Sequence, residues 1–288
     1  MPQHYTVRPL PGKTYKHKQS RYSDTPTLGM RMLINAPSNS GKTNLIVSMI
    51  TEIYEDAWDA GIHVFSHSIN IDDAWKPVKR FMESRGFDPV KYCHDHYDEA
   101  VLAEILAEQK AVIEYQKKKG HTQLFGLLIV LDDMLDDAKL MRHSKQLEIL
   151  FVRARHLAIS TIVSVQKYRV VMPVVRVNTS DEIVFKLRNA HDLQAWVEES
   201  SALADPNTIM EIYRRAISQP YGFLWLKKTA KDPNDIFHIG FNPGEKIEGT
   251  VNEHRADPRE RHVDHVPEHR ALQHSGGPRG RKQPALRH

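Results

Sequence analysis

Residues 124–135 read LFGLLIVLDDML, and the unbroken apolar run inside them constrains the fold more than any other stretch. A strand with one face in water alternates apolar and polar side chains, whereas a run with no polar position has both faces buried. The run stops at two acids, Asp132 and Asp133. Shorter β-rich runs recur at MRMLIN (30–35), GIHVFSHS (61–68), STIVSVQ (160–166) and DEIVFKL (181–187). Between them lie segments of helical period: TNLIVSMITEIYEDAW, AWKPVKRFMESRG ending at Gly86, YDEAVLAEILAEQKAVIEYQKKKG ending at Gly120, and residues 140–156. The third is the clearest, with acids in its first turn and lysines in its last, which suits the helix dipole. Strands alternating with helices predict an α/β fold whose mostly parallel sheet is flanked by helices on both sides. HDLQAWVEESSAL and NTIMEIYRRAI extend the helical pattern, and YGFLWLKK with DIFHIGFN predicts a C-terminal β-hairpin. No internal repeat is present.

At 288 residues, 40% hydrophobic and 26% charged, the chain has ample material for a full core. No apolar run approaches the ~18 residues of a membrane span, and the first residues lack the apolar stretch of a secretory signal. A single cysteine, Cys93, excludes an internal disulfide and fits a reducing compartment. The net charge of +4 is unevenly spread. Up to residue 31, Arg8, Lys13, Lys16, Lys18, Arg21 and Arg31 face one acid, Asp24. Residues 1–28 therefore read as an extended basic arm, either solvated or available to an acidic partner. Residues 29–243 read as the folded domain. Residues 244–288, rich in Arg, His, Pro and Gly, cannot bury enough apolar surface to offset chain entropy and read as a disordered tail.

Where the first predicted strand gives way to a helix, residues 36–43 read APSNSGKT. This is P-loop spacing with alanine at the first glycine position. Such a loop turns backbone N–H groups inward around phosphates, Gly41 permits close approach, Lys42 reaches the β- and γ-phosphates and the Thr43 hydroxyl suits Mg²⁺. Ser38, Asn39, Ser40, Gly41, Lys42, Thr43 and Asn44 are the expected ATP-binding segment. Asp132, at the tip of the buried strand, suits the Mg²⁺ shell, and Asp133 suits orienting or polarising the attacking water, although DDMLDD also reads as helix-capping acids. Gln166 ends a strand where ligands sit in open α/β sheets and suits γ-phosphate sensing. Arg153, Arg155 and His156 precede that strand, and Arg176 follows it. One of these guanidiniums reaching a neighbouring subunit's ATP would be an arginine finger; the competing reading is complementation of a helix C-terminus. Cys93, His94, Asp95 and His96 lack the second ligand pair of a zinc site and read as a surface loop.

The loop at 36–43, the acids at 132–133, the Arg155-His156 pair before a strand ending in Gln166, and the RVN at 176–178, in this order, resemble the genome-packaging ATPases of the poxvirus and large-DNA-virus type, within the FtsK–HerA superfamily of RecA-like P-loop NTPases. The resemblance covers roughly residues 29–190, with the hairpin included to about 243. It implies an ATPase that assembles as a ring, pentameric or hexameric, and pumps double-stranded DNA without regard to sequence into a preformed capsid. Lys42 and Thr43 would then bind phosphate and Mg²⁺, Asp132 would serve the metal, Asp133 would be the catalytic acid, Gln166 the sensor, and Arg155 or Arg176 the trans-acting finger. It further implies capsid vertex proteins as partners and a place in the infected host cell, in the cytoplasm or viral factory, or on the virion. Readings left open are a cellular or conjugative DNA translocase, a small-molecule kinase using the same loop, and a nucleotide-gated structural protein without turnover.

Overall fold

The computed structural model describes residues 12–134 and 144–241. Eight strands form one sheet: β1 Arg31–Asn35, β2 Gly61–Ser66, β3 Cys93–His94, β4 Leu127–Asp132, β5 Ile159–Val165, β6 Asp181–Phe185, β7 Phe223–Lys227 and β8 Phe237–Ile239. Their order is β3-β2-β4-β5-β1-β6-β7-β8. The first six pair in parallel, and β7 and β8 add antiparallel at one edge as the expected hairpin. Because six strands run the same way, Asn35, Ser66, Asp132 and Val165 all end at one edge of the sheet, where ligands of open α/β folds bind.

Both faces are buried, as the apolar run of β4 requires. Leu128 and Val130 point to one face, with Met32, Ile34, Ile62, Val64 and Ile162. There they meet Ile46 of α1 (Lys42–Ser48) and Val78 and Met82 of α2 (Lys76–Ser84), and a short helix, α3 (Pro89–Tyr92), leads into β3. Leu127, Ile129 and Leu131 point to the other, with Leu33, Phe65 and Val163. There they meet Leu102 and Ile105 of α4 (Glu99–Lys118), Leu147 and Leu150 of α5 (Lys145–Val152), and Trp196 of α7 (Ala190–Ser200). α8 (Pro206–Ala216) adds Ile209 and Tyr213 on the same face. The period of two along β4 thus splits one run between two cores. Each fully buried aliphatic side chain contributes about 1.5–3 kcal/mol.

Helix boundaries follow local chemistry. Asp98 caps α4, its carboxylate accepting the Ala100 and Val101 N–H groups at 2.7 and 3.3 Å, and Gly120 follows the helix at φ 83°. Ser144 caps α5 through the Leu147 N–H at 3.0 Å. α1 runs on into a π-helical turn, Met49–Ile53, closed by the Tyr54 N–H on the Met49 carbonyl at 3.1 Å.

Two expectations change, at residues 93–94 and 140–156, and the arm makes contacts of its own. Residues 93–94 form edge strand β3, paired in parallel with β2, where a surface loop was expected. The main-chain register beside Val64 and Phe65 overrides the polar composition there, and the described residues hold no cluster of three or more metal-type ligands. The described part of the basic arm is tied down: Lys16 exchanges backbone hydrogen bonds with Thr122 and Leu124, Lys18 meets Asp59 at 2.5 Å, and Arg21 meets Glu55 at 2.9 Å. Two arm cations are therefore already paired within the chain. Between α5 and β5, the expected helix over 140–156 breaks after Val152 into a 3₁₀ turn, Ala154–Leu157, closed by Ala158 at φ 57°. Residues 140–143, like 1–11 and the tail 244–288, lie outside the described residues.

Candidate nucleotide site

The loop from Ala36 to Gly41 leaves β1 at the carboxyl edge, anchored by the Ala36 N–H on the Val165 carbonyl at 2.8 Å. Two of its residues adopt left-handed backbone, Asn39 at φ 61° and Gly41 at φ 93°. Gly41 has a second reason to be glycine: a Cβ there would stand 3.0 Å from the Tyr221 ring. α1 then begins at Lys42 with no side-chain cap on its first N–H groups, which leaves those donors to a ligand.

Lys42 is buried, and its Nζ lies 3.7 Å from Asp132 Oδ1 and in closer contact with Asp133 Oδ2. Strand register builds the surroundings of Asp132. Ser66 on β2 and Ser164 on β5 stand directly beside it, one on each side. The Ser164 hydroxyl donates to Asp132 Oδ1, and the Ser66 hydroxyl donates to Oδ2 at 3.3 Å. Burial pushes the Asp132 carboxyl above the usual aspartate range; Lys42 and the two hydroxyls oppose that rise.

Asp133 turns out of the strand at φ 53°, a left-handed conformation unusual for a residue with a Cβ, and its N–H donates to Ser164 Oγ at 3.3 Å. Its Oδ2 accepts from Gln166 Nε2 at 3.2 Å, and its Oδ1 is buried with no hydrogen-bond partner. Gln166 Oε1 in turn accepts from the Ser38 hydroxyl at 3.1 Å, so one amide links the loop to the acid. The geometry therefore brings Ser38, Lys42, Asp132, Asp133 and Gln166 together. Asn39 and Asn44 are exposed, Ser40 and Thr43 are half-buried, and all lie on the same loop and first turn. Thr43 and Asp132 offer hard oxygen donors close to Lys42, which fits Mg²⁺.

The arginines stand elsewhere. Arg155 is exposed on the 3₁₀ turn that feeds β5, at the amino edge of the sheet. β5 separates it from its own P-loop by roughly 20 Å at ~3.3 Å per residue. Arg176 lies on α6 (Pro173–Asn178) and is committed within the chain. Its Nε meets Glu199 at 2.7 Å, its Nη1 donates to the Val171 carbonyl at 2.6 Å, and the group packs over the Tyr168 ring. Sequence reasoning overlooked Ser66, Ser164 and Tyr221. Serines inside β-rich runs carry no signal until register puts them beside an acid, and Tyr221 reaches the loop from α8–β7, some 180 residues downstream of Gly41.

Two cavities frame this picture. One, of about 600 Å³, adjoins the P-loop. The other, of about 570 Å³, lies under α4 between Gln109, Gln116 and Phe125 at the amino edge, away from Lys42.

Among known proteins, the family model described as Poxvirus A32 protein matches residues 87–214, a span that holds Asp132, Asp133, Arg155, Gln166 and Arg176 and begins after the P-loop. Uncharacterized protein 075L of Invertebrate iridescent virus 6 is 24% identical over 149 residues, 52% of this chain and 55% of that protein. The chain thus spans about half the length of this curated relative. Among solved structures, the genome packaging NTPase B204 of Sulfolobus turreted icosahedral virus 2, in complex with AMP, aligns at 16% identity and TM-score 0.47. That alignment covers 70% of this chain and 93% of the other. The pCW3 conjugation coupling protein TcpA with ATPγS aligns at 9% identity and TM-score 0.46, covering 67% and 56%. The chain resembles the poxvirus-type genome-packaging ATPases, through the Poxvirus A32 family model and through the ordered motifs of its own sequence.

Proposed function

We propose that this chain is a viral genome-packaging ATPase that hydrolyses ATP to move double-stranded DNA. One observation carries the reading: Lys42, two strand-end aspartates and a glutamine from a third strand converge at the carboxyl edge of a parallel sheet. Lys42 would release Asp133 to bind the β- and γ-phosphates. Thr43 and Asp132 would hold Mg²⁺, which when bound neutralises charge on the phosphate oxygens. The free Oδ1 of Asp133 is the acceptor best placed to orient a water and take its proton as that water's oxygen attacks the γ-phosphorus and ADP leaves. Gln166, hydrogen-bonded to both Ser38 and Asp133, would report the γ-phosphate to the loop.

Because Arg155 sits at the opposite sheet edge, it would act on a neighbouring subunit's ATP in a ring. Arg176, already engaged by Glu199, is the weaker candidate for that finger. DNA would be gripped through phosphates without base readout, and capsid vertex proteins would receive the assembly. The test is ATP turnover by the purified oligomer with and without duplex DNA. Turnover should rise with duplex and vanish in Lys42→Ala; duplex-independent turnover, or an active Lys42 variant, would overturn the reading.

A further inference from the structure

We propose that the ~600 Å³ cavity beside the P-loop receives the base and ribose of the nucleotide, with the base stacked on Tyr221. The inference rests on the nucleotide site proposed above and adds where the other end of the ligand lies.

Direction comes first. Asp132 and Gln166 mark the γ-phosphate end, and both belong to strands on the β5 side of β1. A triphosphate threaded through the loop with its γ end there has its nucleoside end on the opposite side, toward β6, which pairs with β1 through Asn35 and Val184. The cavity lies on that side, walled by Asn39 and Ser40 of the loop, Lys186 and Arg188 after β6, and Gln219 and Tyr221 between α8 and β7. Its volume falls within the roughly 300–1,000 Å³ of small-molecule sites.

Chemistry agrees. Tyr221 is 73% exposed, yet its backbone is held at φ 61° and its ring lies against Gly41. An exposed aromatic locked against a phosphate loop buries little apolar surface of its own, but it offers a π-face to a base without discriminating which base. The following residue fixes it in place: a Cβ on Gly222 would stand 2.4 Å from the Ala216 carbonyl, so the chain returns tightly to β7. Ser40 contributes a buried hydroxyl with no partner on the cavity wall. Lys186 and Arg188 supply positive charge beside it.

Calorimetric titration of the full chain with ATP and with inorganic tripolyphosphate tests this. Tyr221→Gly keeps the left-handed backbone and removes only the ring; it should weaken ATP roughly 5- to 150-fold and leave tripolyphosphate unchanged, with Tyr221→Phe binding as the parent does. Lys42→Ala should weaken both ligands. If Tyr221→Gly binds ATP as tightly as the parent while Lys42→Ala does not, the base site is wrong and the P-loop reading stands. If Lys42→Ala binds both ligands normally, the P-loop reading fails and this inference falls with it.

Discussion

Asp132 stands at the meeting of three strands, and its chemistry is set by what those strands place beside it. Burial raises its carboxyl, while Lys42 and the Ser164 and Ser66 hydroxyls favour the charged form. The sign matters in two ways. A folded-state value above the unfolded one means that the ionised group opposes folding at neutral pH, and that this penalty is relieved as the pH falls through the raised value. The metal role proposed for Asp132, in contrast, needs the ionised form, so under that proposal turnover should fall on the acid side at a pH above the ordinary aspartate range. Ser164→Ala removes one donor from the carboxylate, and the acid limb of its kcat profile should move to higher pH. The same variant should lose about 1–3 kcal/mol of stability at neutral pH, because a buried charged oxygen loses its partner. A pH–rate profile superimposable on the parent would rule out Asp132 as the group that sets that limb. His63 makes the contrast: burial beside His94 pushes it down to about 3, so it is neutral at ordinary pH and adds no charge to the sheet edge.

At the level of strands and helices, the central sheet depends on tight approaches that composition does not advertise. Gly126 precedes β4, and a Cβ there would lie 2.5 Å from the Ala57 carbonyl. Its own carbonyl accepts the Ala60 N–H at 3.0 Å, which aligns the starts of β2 and β4. Gly126→Ala therefore has to push two backbones apart, and should cost about 1–3 kcal/mol in urea denaturation with the m-value unchanged. The hairpin edge is fixed by a different device. Trp225 on β7 donates its indole N–H to Asp181 on β6 at 3.0 Å, and Ser180 donates to the other carboxylate oxygen at 2.8 Å. Burial raises the Asp181 carboxyl as it does Asp132, but here both oxygens are engaged by a strand partner and a neighbour, far from Lys42. Of these two buried strand aspartates, one ties strands together and the other faces the loop.

For the assembled molecule, the separation of Arg155 from its own P-loop is the decisive geometry. A guanidinium at the amino edge cannot reach a phosphate at the carboxyl edge of the same sheet, so any catalytic role requires another subunit. Arg155→Ala should keep ATP affinity and lose turnover by roughly 10³-fold or more, the usual scale of an arginine finger. Mixing it with Lys42→Ala should restore part of the activity, since mixed interfaces of one orientation pair an intact P-loop with an intact arginine while those of the other orientation carry both defects. Mixed oligomers that form and stay inactive would remove Arg155 from the mechanism.

The order of elements follows from local pattern. The apolar run at 127–131 had to be a strand covered on both faces, acids and lysines placed the ends of α4, and the short segment APSNSGKT identified the loop where a triphosphate would bind. These features depend on residues within a few positions of one another, so spacing alone reveals them. Register and approach depend on residues brought together from far apart, and they came only with the tertiary structure. Ser66 and Ser164 became partners of Asp132 because β2, β4 and β5 align them. Cys93 and His94 became a strand because β2 offered an open edge. Tyr221 met Gly41 because the chain returns beside β6, and Arg155 was parted from Lys42 because parallel strands place their beginnings and ends on opposite edges of one sheet.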